Sequence, residues 1–156
     1  MKRRIVLAVL VAALAGFIPT TSVMAAPMRG VHIEFLTPLW IPGPVPFVAS
    51  GPAVDAGLLC ATGFVSTGEV TVSPSPDGDT FLILSTVKYF VCDDGGTFDV
   101  AVVGTLDLIT GTSSGHWKVL RGTGSYANIK GNGKSFGTPS PRDVNVLEFF
   151  DGRLKD

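Results

Sequence analysis

Few residues in this chain could do chemistry. Its 156 residues include two cysteines and two histidines. Cys60 and Cys92 do not form a C-x-x-C redox motif. His32 and His116 stand at no ligand spacing with a cysteine or a carboxylate, so neither a zinc site nor any other metal site is expected. Asp77/Asp79 and Asp93/Asp94 could hold calcium, but acidic residues in Gly-containing segments ordinarily make the turn itself. Glu34 alternates with Val31, Ile33 and Phe35 and should face away from them into solvent, rather than act as a buried carboxylate. No G-x-S-x-G elbow is present, and a Ser/His/Asp triad could only be assembled by free choice among the serines. Tyr89 and Trp117 are the candidate walls of a ligand pocket, set against the default role of aromatics in core packing.

The segment Trp117-Lys-Val-Leu-Arg-Gly-Thr-Gly-Ser-Tyr-Ala-Asn-Ile-Lys-Gly-Asn-Gly133 invites a phosphate-loop reading, which fails on its surroundings. A dinucleotide fingerprint opens a helix inside a βαβ unit, and no helical pattern follows Gly124. Gly133-Lys134-Ser135 resembles the end of a Walker A loop, but Asn128 occupies the place of its first glycine. The physical alternative is a strand-to-strand corner. Gly122 and Gly124 allow positive φ or close backbone approach, Tyr126 and Ile129 turn back into the core, and Gly131 and Gly133 bend the next strand. No cofactor is expected.

The N-terminus bears on where such residues operate. Lys2, Arg3 and Arg4 precede an uncharged apolar run from Ile5 to Ile18, and Val23-Met24-Ala25 fits a cleavage site. Residues 1–25 read as a signal peptide and 26–156 as one domain, exported and without a membrane span after cleavage. The run is shorter than the roughly 20 apolar residues of a span, and the mean hydropathy of +0.41 is inflated by it. Removing the three leading charges from 12 basic residues leaves nine against 13 acidic ones, a net charge of −4. Nucleic acid and anionic membranes, which require clustered positive charge, are therefore not expected as partners.

Short β-branched and aromatic runs, punctuated by 19 Gly and 11 Pro, predict an all-β domain. The expected architecture is a small antiparallel β-barrel of about seven to eight strands, with a β-sandwich as the alternative. Strands are expected near 30–36, 58–72 (bent at Gly63 or Gly68), 80–92, 96–110, 115–121, 131–137 and 143–150. The stretch Pro38 to Pro52, with five prolines, reads as an extended connection. A two-residue turn on Asp94-Gly95 would pair Val91 with Phe98, Tyr89 with Val100, Val87 with Val102, Ile83 with Leu106 and Phe81 with Leu108. All ten would share the core face, leaving Asp99 and Asp107 on the opposite one. Reflecting the chain about Pro76 pairs Val72 with Thr80, Val70 with Leu82 and Cys60 with Cys92. In an exported chain that pair reads as a disulfide closing a loop of about 33 residues.

The pattern Gly-Thr-Gly-x-aromatic-x-x-apolar-x-Gly, following a strand that carries Trp117, resembles the dirigent and allene oxide cyclase β-barrel superfamily, especially its secreted bacterial members. The match is close over residues 113–137 and loose over 57–137. The resemblance implies an up-and-down barrel of about eight strands with an apolar interior, often a homo-oligomer. It also implies activities that rest on shaping an apolar pocket, as in cyclases and proteins that steer radical coupling. The positions that hold those families' polar site groups have no recognisable counterpart here.

Three classes of function follow: a barrel that binds a small apolar molecule, a cyclase or isomerase on the same barrel, and a cell-surface structural or interaction protein. An open apolar cavity would favour the first, a titratable group buried in it the second, and an interior filled by large side chains the third.

Overall fold

The computed structural model describes residues 27–38, 43–76, 79–140 and 145–156. The expected signal peptide lies outside them. Nine strands follow in order: β1 (Arg29–Pro38), β2 (Val45–Ser50), β3 (Thr62–Thr67), β4 (Thr71–Pro74), β5 (Phe81–Cys92), β6 (Thr97–Asp107), β7 (Ser113–Thr123), β8 (Lys130–Pro139) and β9 (Asn145–Lys155). A four-residue helix, α1 (Pro52–Asp55), and a 3₁₀ turn at Gly124–Tyr126 complete the described elements. Neighbouring strands pair antiparallel around the sequence β3-β2-β1-β9-β8-β7-β6-β5, and β3 pairs with β5 to close the ring. The result is an eight-stranded antiparallel barrel, with β4 as an extra strand beside β5.

Closure leaves only two environments, and side chains alternate between them along each strand. On β1 the inward set is Val31, Ile33 and Phe35, with Glu34 exposed as expected. On β9 Phe150 and Leu154 are buried. The two halves of the barrel differ in what points inward. At the end reached by the β5–β6 turn, Phe90 stacks on Phe98 at 4.5 Å and meets Phe47 edge-on at 5.2 Å. Phe150 packs against Phe35 at 5.3 Å and lies parallel to Trp117 at 6.1 Å. Trp117 has room because its facing neighbours on β8 and β9 are Gly133 and Gly152, where any Cβ would strike the indole. Helix α1 and the Gly-rich corner cover this end, burying Ala53, Leu59, Tyr126 and Ile129.

The corner folds as its sequence implies: Gly124 has φ of 58°, and Tyr126 and Ile129 return to the core. Three other expectations are corrected. First, Val45–Ser50 is a strand and not a connection. Pro46 is tolerated there because pairing with β1 stops at Phe47, so no partner on that side needs its missing N–H.

Second, the β5–β6 register is shifted by one residue. Phe90 faces Phe98, Lys88 faces Val100, and Phe81 faces Asp107. The Cys92 N–H donates to the Gly96 carbonyl and the Gly95 N–H to the Cys92 carbonyl, which makes a three-residue loop, with Gly95 at φ of 87°. One extra loop residue turns the whole of β5 over. Phe98, Val100, Val102 and Leu106 keep the expected inward face, but Tyr89 and Val91 point outward, and Leu108 lies exposed beyond β6. Asp99 stays on the face opposite Phe98 and Val100, as expected, and is 8% exposed, paired with Arg121 at 2.5 Å beside a bulge between β6 and β7.

Third, the Cys60–Cys92 disulfide forms, with Cα atoms 5.8 Å apart, but not through the expected hairpin register. Val72 faces Leu84, and the Ser75 N–H donates to the Phe81 carbonyl, so the turn is centred beyond Pro76. Cys60 precedes β3, whose Gly63 faces Cys92 in the pairing with β5, where a Cβ would strike the β5 backbone.

Candidate functional site

Away from the aromatic half, the inward positions change character. Thr37 on β1, Thr67 on β3, Thr86 on β5, Gly104 on β6, Ser113 on β7 and Ser135 on β8 are all small. Small side chains around a barrel of fixed circumference cannot meet across its axis, and a cavity of about 270 Å³ remains. Its apolar wall is Leu84, Val102, Leu106 and Val146, with Val70 exposed beside it.

Two charged residues line this cavity where it meets the aromatic half. Lys88 projects inward from β5, its side chain 4% exposed, and Glu148 projects inward from β9, its side chain 15% exposed. Lys88 Nζ donates to Glu148 Oε1 at 2.6 Å and to Thr67 Oγ1 at 2.9 Å, and lies 5.1 Å from the centroid of the Phe35 ring. Thr37 Oγ1 donates to the same Glu148 Oε1 at 2.5 Å. Desolvating two charges costs several kcal/mol for each, recovered only when geometry and hydrogen bonds are good. A hydrophobic pair would fill the space at no such cost. The ion pair is therefore a costly way to build a wall and a sensible way to place a polar group in an apolar cavity.

The sequence-derived pocket residues fall elsewhere. Tyr89 is 42% exposed on the outer face, turned out by the one-residue register shift. Trp117 is buried, but in the aromatic half, where its Nε1 has no hydrogen-bond partner. Neither lines the cavity. Lys88 and Glu148 were not singled out from the sequence. The signal that could have found Lys88 is a lone charge within an otherwise apolar and hydroxyl-bearing run from Phe81 to Cys92.

Of the acidic pairs, Asp93/Asp94 sits in the β5–β6 turn and bonds within it, while Asp77 of the other pair lies outside the described residues. Asp94 accepts from the Gly96 N–H at 3.0 Å and from the Tyr126 hydroxyl at 2.7 Å, while Thr62 donates to Asp93 at 2.6 Å. The Tyr126 bond, with the Gly96 N–H second, holds the Asp94 carboxyl below its ordinary value. Burial, reinforced by the same bond, pushes the Tyr126 phenol up to about 12. His32 lies on the outer face, 2.6 Å from Asp151. Among the described residues no group of three or more His, Cys, Asp or Glu could hold a metal ion, and no helix is long and apolar enough to cross a membrane.

The cavity can accept an apolar body of modest size and offer it hydroxyls and one carboxylate. Comparison with protein-family models, curated proteins and solved structures gives no match for this chain.

Proposed function

We propose that this is an exported barrel protein that binds one small, largely apolar molecule in the open half of the barrel. The observation that carries this reading is the coincidence of an apolar cavity with a buried Lys88–Glu148 pair at its boundary. Ligand sites are typically concave and apolar with a few placed polar groups. At about 270 Å³ the cavity lies just below the roughly 300–1,000 Å³ typical of ligand sites, suited to a compact mono- or bicyclic molecule rather than a long chain. Export is supported by the leader-like residues 1–25 and by the Cys60–Cys92 disulfide, a bond that persists in oxidising compartments. Membership of the dirigent and allene oxide cyclase barrel superfamily is proposed on the Gly-rich corner and on the closed eight-stranded ring.

A second reading, a cyclase or isomerase on the same barrel, is favoured by one observation: a carboxylate, Glu148, lines the apolar cavity, where it could exchange a proton with a bound molecule.

Calorimetric titration with borneol, a compact bicyclic alcohol, tests the binding reading. Saturable one-to-one binding is expected, and Val102→Phe, which adds volume inside the cavity, is expected to abolish it while leaving the melting temperature nearly unchanged. Equal binding by wild type and variant would place the borneol elsewhere and remove the cavity as the site.

A further inference from the structure

The hydrogen bonds at the ion pair are distributed unequally. Both donors that reach Glu148, Lys88 Nζ and Thr37 Oγ1, arrive at the same oxygen, Oε1. Oε2 has no hydrogen-bond partner among the described residues. It is not sealed in protein either: among the described residues the one buried side-chain polar atom without a partner is Trp117 Nε1, away from this pair. Oε2 therefore has accessible surface, and Glu148 is a lining residue of the cavity. Lys88 is in the opposite condition. Its ammonium is bonded to Glu148 and Thr67, packed against the Phe35 ring, and almost wholly enclosed. The cation of the pair is committed to the protein, and the anion keeps one oxygen for a guest.

The geometry points to a ligand that must bring a hydrogen-bond donor: Glu148 Oε2 selects a neutral alcohol over a ketone or a carboxylate of the same shape. This rests on the binding reading above and adds the chemical class of the guest. An ionised carboxylate offers only acceptors. A hydroxyl placed against Oε2 makes a charge-assisted bond, among the stronger hydrogen bonds available. A ketone there leaves Oε2 without a donor in a space from which the ligand has expelled water. A guest carboxylate would set like charge against Oε2, with Lys88 already engaged. Sites that hydrogen-bond a hydroxyl reject analogues lacking it far more strongly than apolar pockets reject a change of size, because the site's own polar group is left unpaired.

The test holds the apolar body constant and changes the polar group. Adamantanol, adamantanone and adamantane carboxylate share one rigid cage, and each is titrated into the disulfide-bonded protein by calorimetry at neutral pH. The alcohol is expected to bind at least about tenfold more tightly than either of the others, a factor worth roughly 1.4 kcal/mol. Ketone binding as tight as the alcohol would overturn the selectivity and leave the cavity a general apolar site. Tightest binding of the carboxylate would overturn it in favour of Lys88 as the recognising group. Binding of none of the three would remove the cavity reading and the selectivity with it. A second arm uses the double variant Lys88→Met/Glu148→Gln, which replaces the ion pair by neutral groups and puts an amide N–H₂ within reach of the guest. Its preference is expected to move toward the ketone, and an undiminished preference for the alcohol would contradict the assignment to Glu148. If that variant does not fold, the wild-type series still decides.

Discussion

The two halves of this barrel share eight strands and one hydrogen-bond ladder, yet one is packed solid and the other is hollow. The difference is set by side-chain volume at the inward positions. In the packed half Phe35, Phe47, Phe90, Phe98, Trp117 and Phe150 point to the axis, and glycines at 133 and 152 make room for the indole. In the hollow half threonine, serine and glycine occupy equivalent positions on successive strands. Stability is thereby concentrated at one end, and the other can hold a cavity and a buried charge pair without being the part that holds the fold together.

The comparison breaks most visibly on truncation of the core. Phe90→Ala, at a position with 0% exposure, is expected to cost about 3–5 kcal/mol in denaturant titration. Leu106→Ala in the cavity wall, where the side chain already faces a void, should cost about 1–2 kcal/mol, mainly lost transfer free energy. Equal losses would show that the two halves are not energetically distinct.

Reduction of Cys60–Cys92 is the next largest effect, roughly 3–4 kcal/mol in the chain-entropy model for a loop of this length. It is read as a fall in melting temperature when reductant is added. Because Cys92 packs in the aromatic half, the loss should be global unfolding stability and not a local opening of the cavity.

The charge pair sharpens the comparison from the hollow side. Lys88→Met alone strands Glu148 and is expected to cost about 3 kcal/mol. Adding Glu148→Gln should restore most of that, since no uncompensated charge remains. A double-mutant cycle measures the coupling, and additive losses would mean that the pair does not act as a unit.

The smallest effect is a pH dependence at the packed end. The folded protein keeps the Tyr126 proton that the unfolded chain releases above its ordinary value of 10.0. The associated stability is full below about pH 10 and lost as pH rises toward 12. The lowered Asp94 carboxyl contributes in the opposite sense: its share is present above 3.8 and lost as pH falls through the depressed value. Tyr126→Phe is expected to flatten the alkaline limb in denaturation curves, and an unchanged limb would assign it to other groups.

How much of this was legible in the sequence follows the same division. The Gly-rich corner, the inward face of β6 and the Cys60–Cys92 bond could be read because glycine spacing, strand alternation and an isolated cysteine pair are each strong local signals. The face of β5 could not. Its run Phe81 to Val91 carries mostly apolar residues in both phases, so the turn fixes the register, and the extra residue in Asp93-Asp94-Gly95 moved Tyr89 out and Lys88 in. Glu148 was hidden for a related reason. Its partner is 60 positions away, and no local pattern reports a pairing made by closing a barrel.

The central claim, that the hollow half is the ligand site, is tested most directly by methyl-resolved NMR titration with adamantanol. The expected result is shifts confined to the methyls of Leu84, Val102, Leu106 and Val146, with those of Val31, Ile33 and Leu154 in the packed half unmoved. Shifts confined to the outer face, at Val103 and Leu120, or no shifts at any methyl, would contradict it.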